Sequence, residues 1–319
     1  MNNSSKPRVS IGLPVYNGER FLEEALDSLL AQTCADFELM ISDNASTDGT
    51  AEICRRYVAN DRRVRYFRNA TNIGFGRNFN RVFRLMRGGY FKWASADDLC
   101  KPELLAHCLE LLEKDYTAVL AYPKTRFIDE NGKILEIEDP GWDLQSKVAH
   151  ERLRYVIRAG HWVNPLYGLI RASALSKTRL MPSYPGGDYH LLAELSLQGK
   201  FVELPEYLFF RRVHPGASSQ NTTKLMWTME FHSGDKSRVY LPFWNRNIAH
   251  ALTIIKAELS VGNKLSLLGA VGRSMWWGHE RILQELEFAF IFHLKQLISI
   301  KSRKRKHELF GFNDKPDAK

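Results

Sequence analysis

Three short apolar runs in the first hundred residues each stop at a polar corner, and helix-like sequence resumes after each stop. The first, Val9-Ser10-Ile11-Gly12-Leu13, ends in Pro14-Val15-Tyr16-Asn17-Gly18-Glu19. The second, Phe37 to Ser42, ends in Asp43-Asn44-Ala45-Ser46-Thr47-Asp48-Gly49-Thr50. The third, Tyr90 to Ala94, ends in Ser95-Ala96-Asp97-Asp98. This alternation predicts an α/β fold with a parallel sheet. All three polar ends then share one edge, beyond the strand C-termini, where such sheets bind ligands. That edge suits a nucleotide with phosphates and a divalent cation, with the paired aspartates to hold the cation.

The rest of the chain keeps the alternation to about residue 220. Phe21, Leu22, Ala25, Leu26, Leu29 and Leu30 recur with helical period and should pack on the sheet. Thr50 to Tyr57 continues as a second helix, and Val64 to Phe67 reads as a short strand. Phe75, Phe79, Val82, Phe83 and Met86 mark a third helix, stopped by Gly88-Gly89. Leu104 to Leu112 reads as a fourth, with Pro102 near its first turn. Ala118 to Tyr122 is a strand, Arg126 to Leu135 a hairpin turning at Asn131-Gly132, and Val202 to Val213 a returning strand. From about 224 the pattern becomes helical, with few strand signals. The expected division is an α/β domain over 1–220, a helical extension over 221–300, and a basic polar tail over 301–319.

The chain has 319 residues, enough for one large core or two modest ones, and 44% hydrophobic with 25% charged residues reads as globular. Its net charge of +9 suits an anionic partner such as a nucleotide, a lipid phosphate or a membrane surface. No recognised nucleic-acid-binding motif is present, so no nucleic-acid partner is expected. Cys34, Cys54, Cys100 and Cys108 form no CxxC pair, which argues against a zinc site or a disulfide framework. The N-terminus lacks the apolar core of a signal peptide. No run of about 18 apolar residues predicts a membrane span.

Six pieces in order carry a family resemblance. They are Pro14 to Glu19, Asp43 to Thr50, Asn72-Ile73-Gly74 with Arg77 and Asn78, Ser95 to Asp98, Gly187-Asp188, and Arg212-Val213-His214-Pro215. Together they resemble the inverting glycosyltransferases of family 2, over residues 8 to about 218. The resemblance implies a GT-A fold: a mixed, mostly parallel sheet flanked by helices, here followed by the C-terminal helical extension. It implies a metal-dependent transfer of sugar from a nucleoside-diphosphate sugar to a hydroxyl on a glycan or lipid-linked acceptor, in polysaccharide biosynthesis.

The same resemblance assigns residues. Asp98 is the expected ligand to Mg²⁺ or Mn²⁺, with His214 as a second. Ser95 stands where the family often carries another aspartate, which leaves fewer anionic ligands. Pro14, Tyr16, Asn17, Glu19, Asp43, Arg77, Ser95, Ala96, Asp97 and Arg212 are expected around the nucleotide sugar, with Asp43 reading the base. Asp188 is the expected catalytic base. Trp162, Asn164, Tyr167 and Arg171 are candidates for the acceptor border.

The residues alone leave other roles open. Asp97-Asp98 can cap the helix that follows, and Asp43 can close an Asx-turn. Asp188 can serve as a helix N-cap, where the dipole favours an ionised carboxylate. Either Arg211 or Arg212 can clamp a diphosphate, but alternation along a strand aims only one of them at the site. A nucleotidyltransferase would carry a glycine- and arginine-rich phosphate loop early in the chain, and residues 8 to 20 have none. A non-catalytic sugar-nucleotide binder needs no base, so Asp188 argues against it.

The late run from Leu286 to Ile300, followed by Lys301-Ser302-Arg303-Lys304-Arg305-Lys306-His307, can lie on an anionic membrane or form a dimer contact. The expected location is therefore cytoplasmic, peripheral on the inner face of the membrane.

Overall fold

A computed structural model describes residues 6–158, 163–217 and 241–310, with side chains described as far as residue 295. Its centre is a nine-stranded sheet. Strands β1 (Val9–Val15), β2 (Phe37–Asp43), β3 (Val64–Arg68) and β4 (Tyr90–Trp93) lie in the order β3-β2-β1-β4, all parallel. The helices between them are α1 (Leu22–Leu30), α2 (Thr50–Asn60) and α3 (Phe75–Arg84). Every residue of β2 is buried, as expected of a strand covered on both faces. The apolar stripe of α1, Leu22, Ala25, Leu26 and Leu29, is buried as its spacing predicts.

The sheet becomes mixed beyond β4. Its neighbour β8 (Leu169–Arg171) runs antiparallel to it and also to β6 (Ala118–Ile128). Next to β6 lies β9 (Lys200–Arg212), in parallel, and β9 carries the two-residue β5 (Leu99–Cys100) on its far side. The hairpin partner of β6 is β7 (Ile134–Leu135). The turn between them is wider than the expected Asn131-Gly132 pair. The Asp129 carboxylate accepts the N–H groups of Asn131 and Lys133, and only Gly132 takes a positive φ, of 82°. Neither β8 nor the 3₁₀ turn at Asn164–Tyr167 is legible in the sequence; both are too short to show a period.

The faces of the sheet carry two apolar layers. One includes Leu26, Cys54 and Leu109, from α1, α2 and α4 (Leu104–Lys114). The other joins Phe79 and Val82 of α3 to Leu153 of α5 (Ala149–Arg158), Leu175 of the short α6 (Ala172–Leu175) and Leu192 of α7 (Gly187–Gln198). It also takes in Ile254 of α8 (Pro242–Lys256) and Leu267 and Val271 of α9 (Val261–Trp277). The extension is thus seated on the catalytic unit through shared core. Fully burying side chains of this size stabilises by about 1.5–3 kcal/mol each.

The last helix, α10 (His279–Phe310), runs ten residues into the segment expected to be a polar tail. It contains neither glycine nor proline, and Lys, Arg, Glu and Leu are strong helix formers. All four cysteines are free thiols, with Cys54 and Cys108 buried.

Candidate active site

The three polar corners meet at the C-terminal edge of the parallel strands. The corner after β1 is laced to the corner after β2. The Asn17 N–H donates to Ser46 Oγ at 2.9 Å, and Asn17 Oδ1 accepts the Thr47 N–H at 2.8 Å. The Gly18 N–H donates to Thr50 Oγ1 at 2.9 Å, and the Glu19 carboxylate accepts the Gly49 N–H. Asn17 reaches this geometry at φ 51°, a left-handed conformation that asparagine tolerates better than most residues. Asn17 and Glu19 are therefore occupied in holding the loops. Tyr16 is 47% exposed, and Pro14 is half-buried beside it.

Asp43 sits at the end of β2, as expected, but its side chain is closed to solvent. Its Oδ1 accepts the Ser46 N–H at 2.7 Å. Its Oδ2 accepts from the Tyr66 hydroxyl at 2.7 Å and from Arg68 Nη1 at 3.1 Å. The Asx-turn reading describes what Asp43 does here. Its counter-charge is Arg68, not the expected Arg77, which is exposed and has no ion pair among the described residues. Asn78 is the buried member of the α3 motif. Its Nδ2 donates to the Ser42 carbonyl at 2.8 Å, and its Oδ1 accepts from Ser42 Oγ and from Asn69 Nδ2.

The aspartate pair divides. The Asp97 carboxylate accepts a hydrogen bond from Ser95 Oγ, and its Oδ2 lies 3.0 Å from His214 Nε2. Burial disfavours the charge on Asp97. The bonds from His214 and Ser95 outweigh it and hold the carboxyl below the usual range. Asp98, the expected metal ligand, turns inward instead. It is 8% exposed, and its Oδ1 accepts the Arg212 N–H at 2.8 Å. Burial and the neighbouring Asp97 charge push its carboxyl up. Lys92, fully buried on β4 with its Nζ hydrogen-bonded to the Trp93 and Tyr167 carbonyls, adds positive charge near Asp98. A lysine in the middle of a core strand is the one signal by which the sequence could have marked it.

The two arginines at the end of β9 also divide, opposite to expectation. Arg212 is 2% exposed and stacks 4.5 Å over Phe21. It donates to the Asp97 and Glu130 carbonyls, each at 2.9 Å, and pairs with Glu24 at 2.7 Å. A guanidinium so committed is a tie between elements and not a phosphate clamp. Arg211 faces the site. Its Nη1 donates to Asn164 Oδ1 at 2.6 Å, and Asn164 Nδ2 donates to Asp139 at 2.6 Å. Its charge is felt at both Asp98 and Asp188.

Asp188 occupies the first turn of α7. The N-cap is Gly186, left-handed at φ 83°, so Asp188 is not the cap. A Cβ on Gly187 would meet the Pro182 carbonyl at 2.8 Å, so that position requires glycine. Asp188 is half-buried, and its Oδ1 accepts the Tyr189 N–H at 2.9 Å. Burial raises its pKa, against the opposing pull of that N–H, Arg211 and Arg246. The expected helix-dipole preference for the ionised form is overridden. A raised carboxylate pKa is what a general base requires.

Among the acceptor-border candidates, Asn164 is buried under Arg211, and Tyr167 stacks on Phe209 with ring centroids 5.4 Å apart. Arg171 lies at the opposite end of β4, paired with Tyr90 and bonded to the Ala118 carbonyl at 2.8 Å. Trp162 lies outside the described residues.

The mixed, mostly parallel sheet with its flanking helices has the architecture of a GT-A fold. The family model "Glycosyl transferase family 2" matches residues 10–167. The chain is 28% identical over 262 residues to a chondroitin synthase of Escherichia coli, which covers 79% of this chain but only 37% of that protein. Its fold is similar to S. aureus TarS 1-349 in complex with UDP-GlcNAc, with a TM-score of 0.65 at 16% identity, covering 88% of this chain and 79% of that one. It is also similar to the mannosyltransferase PcManGT of Pyrobaculum calidifontis in complex with GDP-Man and Mn²⁺, with a TM-score of 0.52 at 16% identity, covering 91% and 81%.

The division between the two arginines has a stability consequence. Arg212→Gln is expected to lower the unfolding free energy by about 3–5 kcal/mol, because it strips a buried charge network of its centre. Arg211→Gln, half-exposed, is expected to cost much less. Urea unfolding of both variants decides the matter, and equal losses would remove the distinction.

Proposed function

We propose that this enzyme transfers a sugar from a nucleoside-diphosphate sugar to a hydroxyl of a glycan or lipid-linked glycan acceptor, with a divalent cation and with inversion at the anomeric carbon. The observation that carries the reading is the pairing of two unlike sites through Arg211. On one side its charge reaches Asp98, next in sequence to the Asp97 that meets His214; on the other it reaches the half-buried Asp188.

Asp97 and His214 suit a cation better than the inward-facing Asp98 does. Asp97 Oδ2 and His214 Nε2 face each other across a 3.0 Å hydrogen bond that a cation would replace. Among the described residues no cluster of three or more His, Cys, Asp or Glu side chains could hold a metal. Further oxygens would come from the diphosphate, as is usual for Mg²⁺ with nucleotide substrates. A bound Mg²⁺ or Mn²⁺ supplies Lewis-acid stabilisation to the leaving diphosphate. Tyr16 offers an exposed ring for the base, Ser95 and Ala96 floor the corner, and Arg211 takes the phosphate charge in place of Arg212. Asp188 removes the acceptor proton as the hydroxyl attacks, so the diphosphate leaves from the opposite side and no covalent intermediate is needed.

The extension supports a membrane-surface location. Trp276 and Trp277 are 76% and 79% exposed at the end of α9. Leu283, Leu286, Phe290 and Leu294 form an exposed stripe along α10. No helix among the described residues is long and apolar enough to cross a membrane. Exposed tryptophans and an apolar stripe fit a lipid interface, and Lys301 to Lys306 later in α10 adds the basic charge that anionic lipid attracts.

Three measurements test these readings. Turnover is expected to vanish in excess EDTA and return with Mn²⁺, while Asp97→Asn stays inactive under both conditions. Full activity in EDTA sinks the cation. Liposome flotation with anionic lipid should carry the intact protein upward, and a Trp276→Ala/Trp277→Ala double variant should float poorly; equal flotation rejects the surface.

The third concerns Asp188. Asp188→Asn should cut turnover by about 10²- to 10⁴-fold with little change in donor affinity, and the wild-type product should show the anomeric configuration opposite to the donor. The variant should also be more stable at neutral pH. Its folded pKa is raised, so the ionised form costs the fold stability above that pKa. Below the unfolded value of about 3.9 both states are protonated and the gain should vanish. A retained configuration, or turnover near normal in Asp188→Asn, removes Asp188 from the role.

A further inference from the structure

Asp188 feels the charge of two guanidinium groups, and only one of them belongs to the nucleotide edge. Arg211 comes from β9 and also reaches Asp98. Arg246 comes from α8, in the extension. Its charge partners are Asp188, Tyr189, Arg281 and Glu285. It is placed with care: its guanidinium lies 5.7 Å from the Tyr189 ring and 5.2 Å from the Phe243 ring. Its Cδ stands 3.9 Å from where a Cβ on Gly186 would sit, at the N-cap of the helix that carries the base. Glu285, the nearby carboxylate, spends its oxygens on the N–H groups of Phe243 and Trp244, at 2.7 and 3.2 Å.

A general base gains nothing from two adjacent cations, because each lowers its affinity for the proton it must take. Here burial offsets that effect, so the arginines are tolerated beside the base without disabling it. An arginine fork held between aromatic rings is a preorganised reader of carboxylate and phosphate oxygens. The group it reads must lie beside the hydroxyl that Asp188 deprotonates.

We propose that the acceptor carries an anionic group, a carboxylate or a phosphate, next to its attacking hydroxyl, and that Arg246 with Arg211 binds it. This rests on the reading of Asp188 as the base, since that fixes where the acceptor lies. It adds a selectivity the donor edge does not supply. With a neutral acceptor the two half-buried cations share the single carboxylate of Asp188, and an anionic acceptor adds a second counter-charge.

The test measures binding of small acceptor fragments to the full chain by NMR at about 0.15 M salt, where long-range surface attraction is largely screened. One arm compares methyl glucuronide with its methyl ester. The other compares glycerol phosphate with glycerol. At least one anion is expected to bind roughly tenfold tighter than its neutral counterpart, as one charge-assisted contact predicts. The arm that responds names the source of the charge. Arg246→Gln should erase most of the difference, whereas Arg273→Gln, an exposed arginine on α9, should keep it. Equal binding of charged and neutral fragments in both arms overturns the proposal, and so does an equal loss in the two arginine variants. Asp188→Asn separates the two readings. It should keep the anion preference while turnover falls; normal turnover with an intact preference would remove the base and leave the anion site standing.

Discussion

The buried guanidinium of Arg212 is the interaction on which the site's geometry depends. It sits where β9, the aspartate corner, the β6–β7 hairpin and α1 converge, and it takes a carbonyl or carboxylate from each of the last three. Its own N–H donates to Asp98. A charge this deep is costly unless its hydrogen bonds are filled, and once filled it is hard to move. The neighbouring residues inherit that rigidity. Asp97 is adjacent to Asp98, Arg211 precedes Arg212, and His214 follows two residues on. The pairs that face the substrates are therefore held by partners that face away from them.

This explains how much of the site was legible in the sequence. The corners after β1, β2 and β4 and the parallel order follow from period and polarity, because each strand end aims its loop at one edge; the role expected of Asp188 on α7 came from the family resemblance. What misled was the choice between neighbours. Asp97 and Asp98, or Arg211 and Arg212, are chemically alike, and the resemblance assigned one of each pair. The structure chose by burial. Asp98 and Arg212 point into the protein, Asp98 onto the Arg212 backbone N–H and the guanidinium onto Glu24 and two carbonyls, so the outer member of each pair is left to face the edge. Asp43 shows the same limit. Its position at a strand end was predictable, but its closure by Tyr66 and Arg68 depends on β3 lying beside β2, which no local pattern encodes.

The extension was legible as helix and not as part of the site. Its apolar residues gave no sign of which neighbours they would meet. Ile254, Leu267 and Val271 enter the same apolar layer as Phe79 and Leu192, so α8 and α9 are fixed relative to α7. Because α7 carries Asp188, that shared layer also fixes Arg246 relative to the base. Rigid support of this kind is what positions a reacting group to within fractions of an ångström.

The two halves of the chemistry are then built from different parts of the chain. The family model matches residues 10–167, which contain the three corners and the aspartate pair. The base, the histidine, both β9 arginines and the extension all lie after that stretch. The edge proposed for the donor consists of strand ends whose backbone is fixed in the sheet. The side proposed for the acceptor consists of one helix and the extension packed on it. Changes in α8 can alter what is read beside Asp188 while leaving the lacing of Asn17 to Ser46 and of Gly18 to Thr50 untouched. The same extension exposes Trp276 and Trp277. The part of the protein that carries Arg246 is thus also the part with the exposed apolar surface, and a single packed layer joins both to α7 and its Asp188.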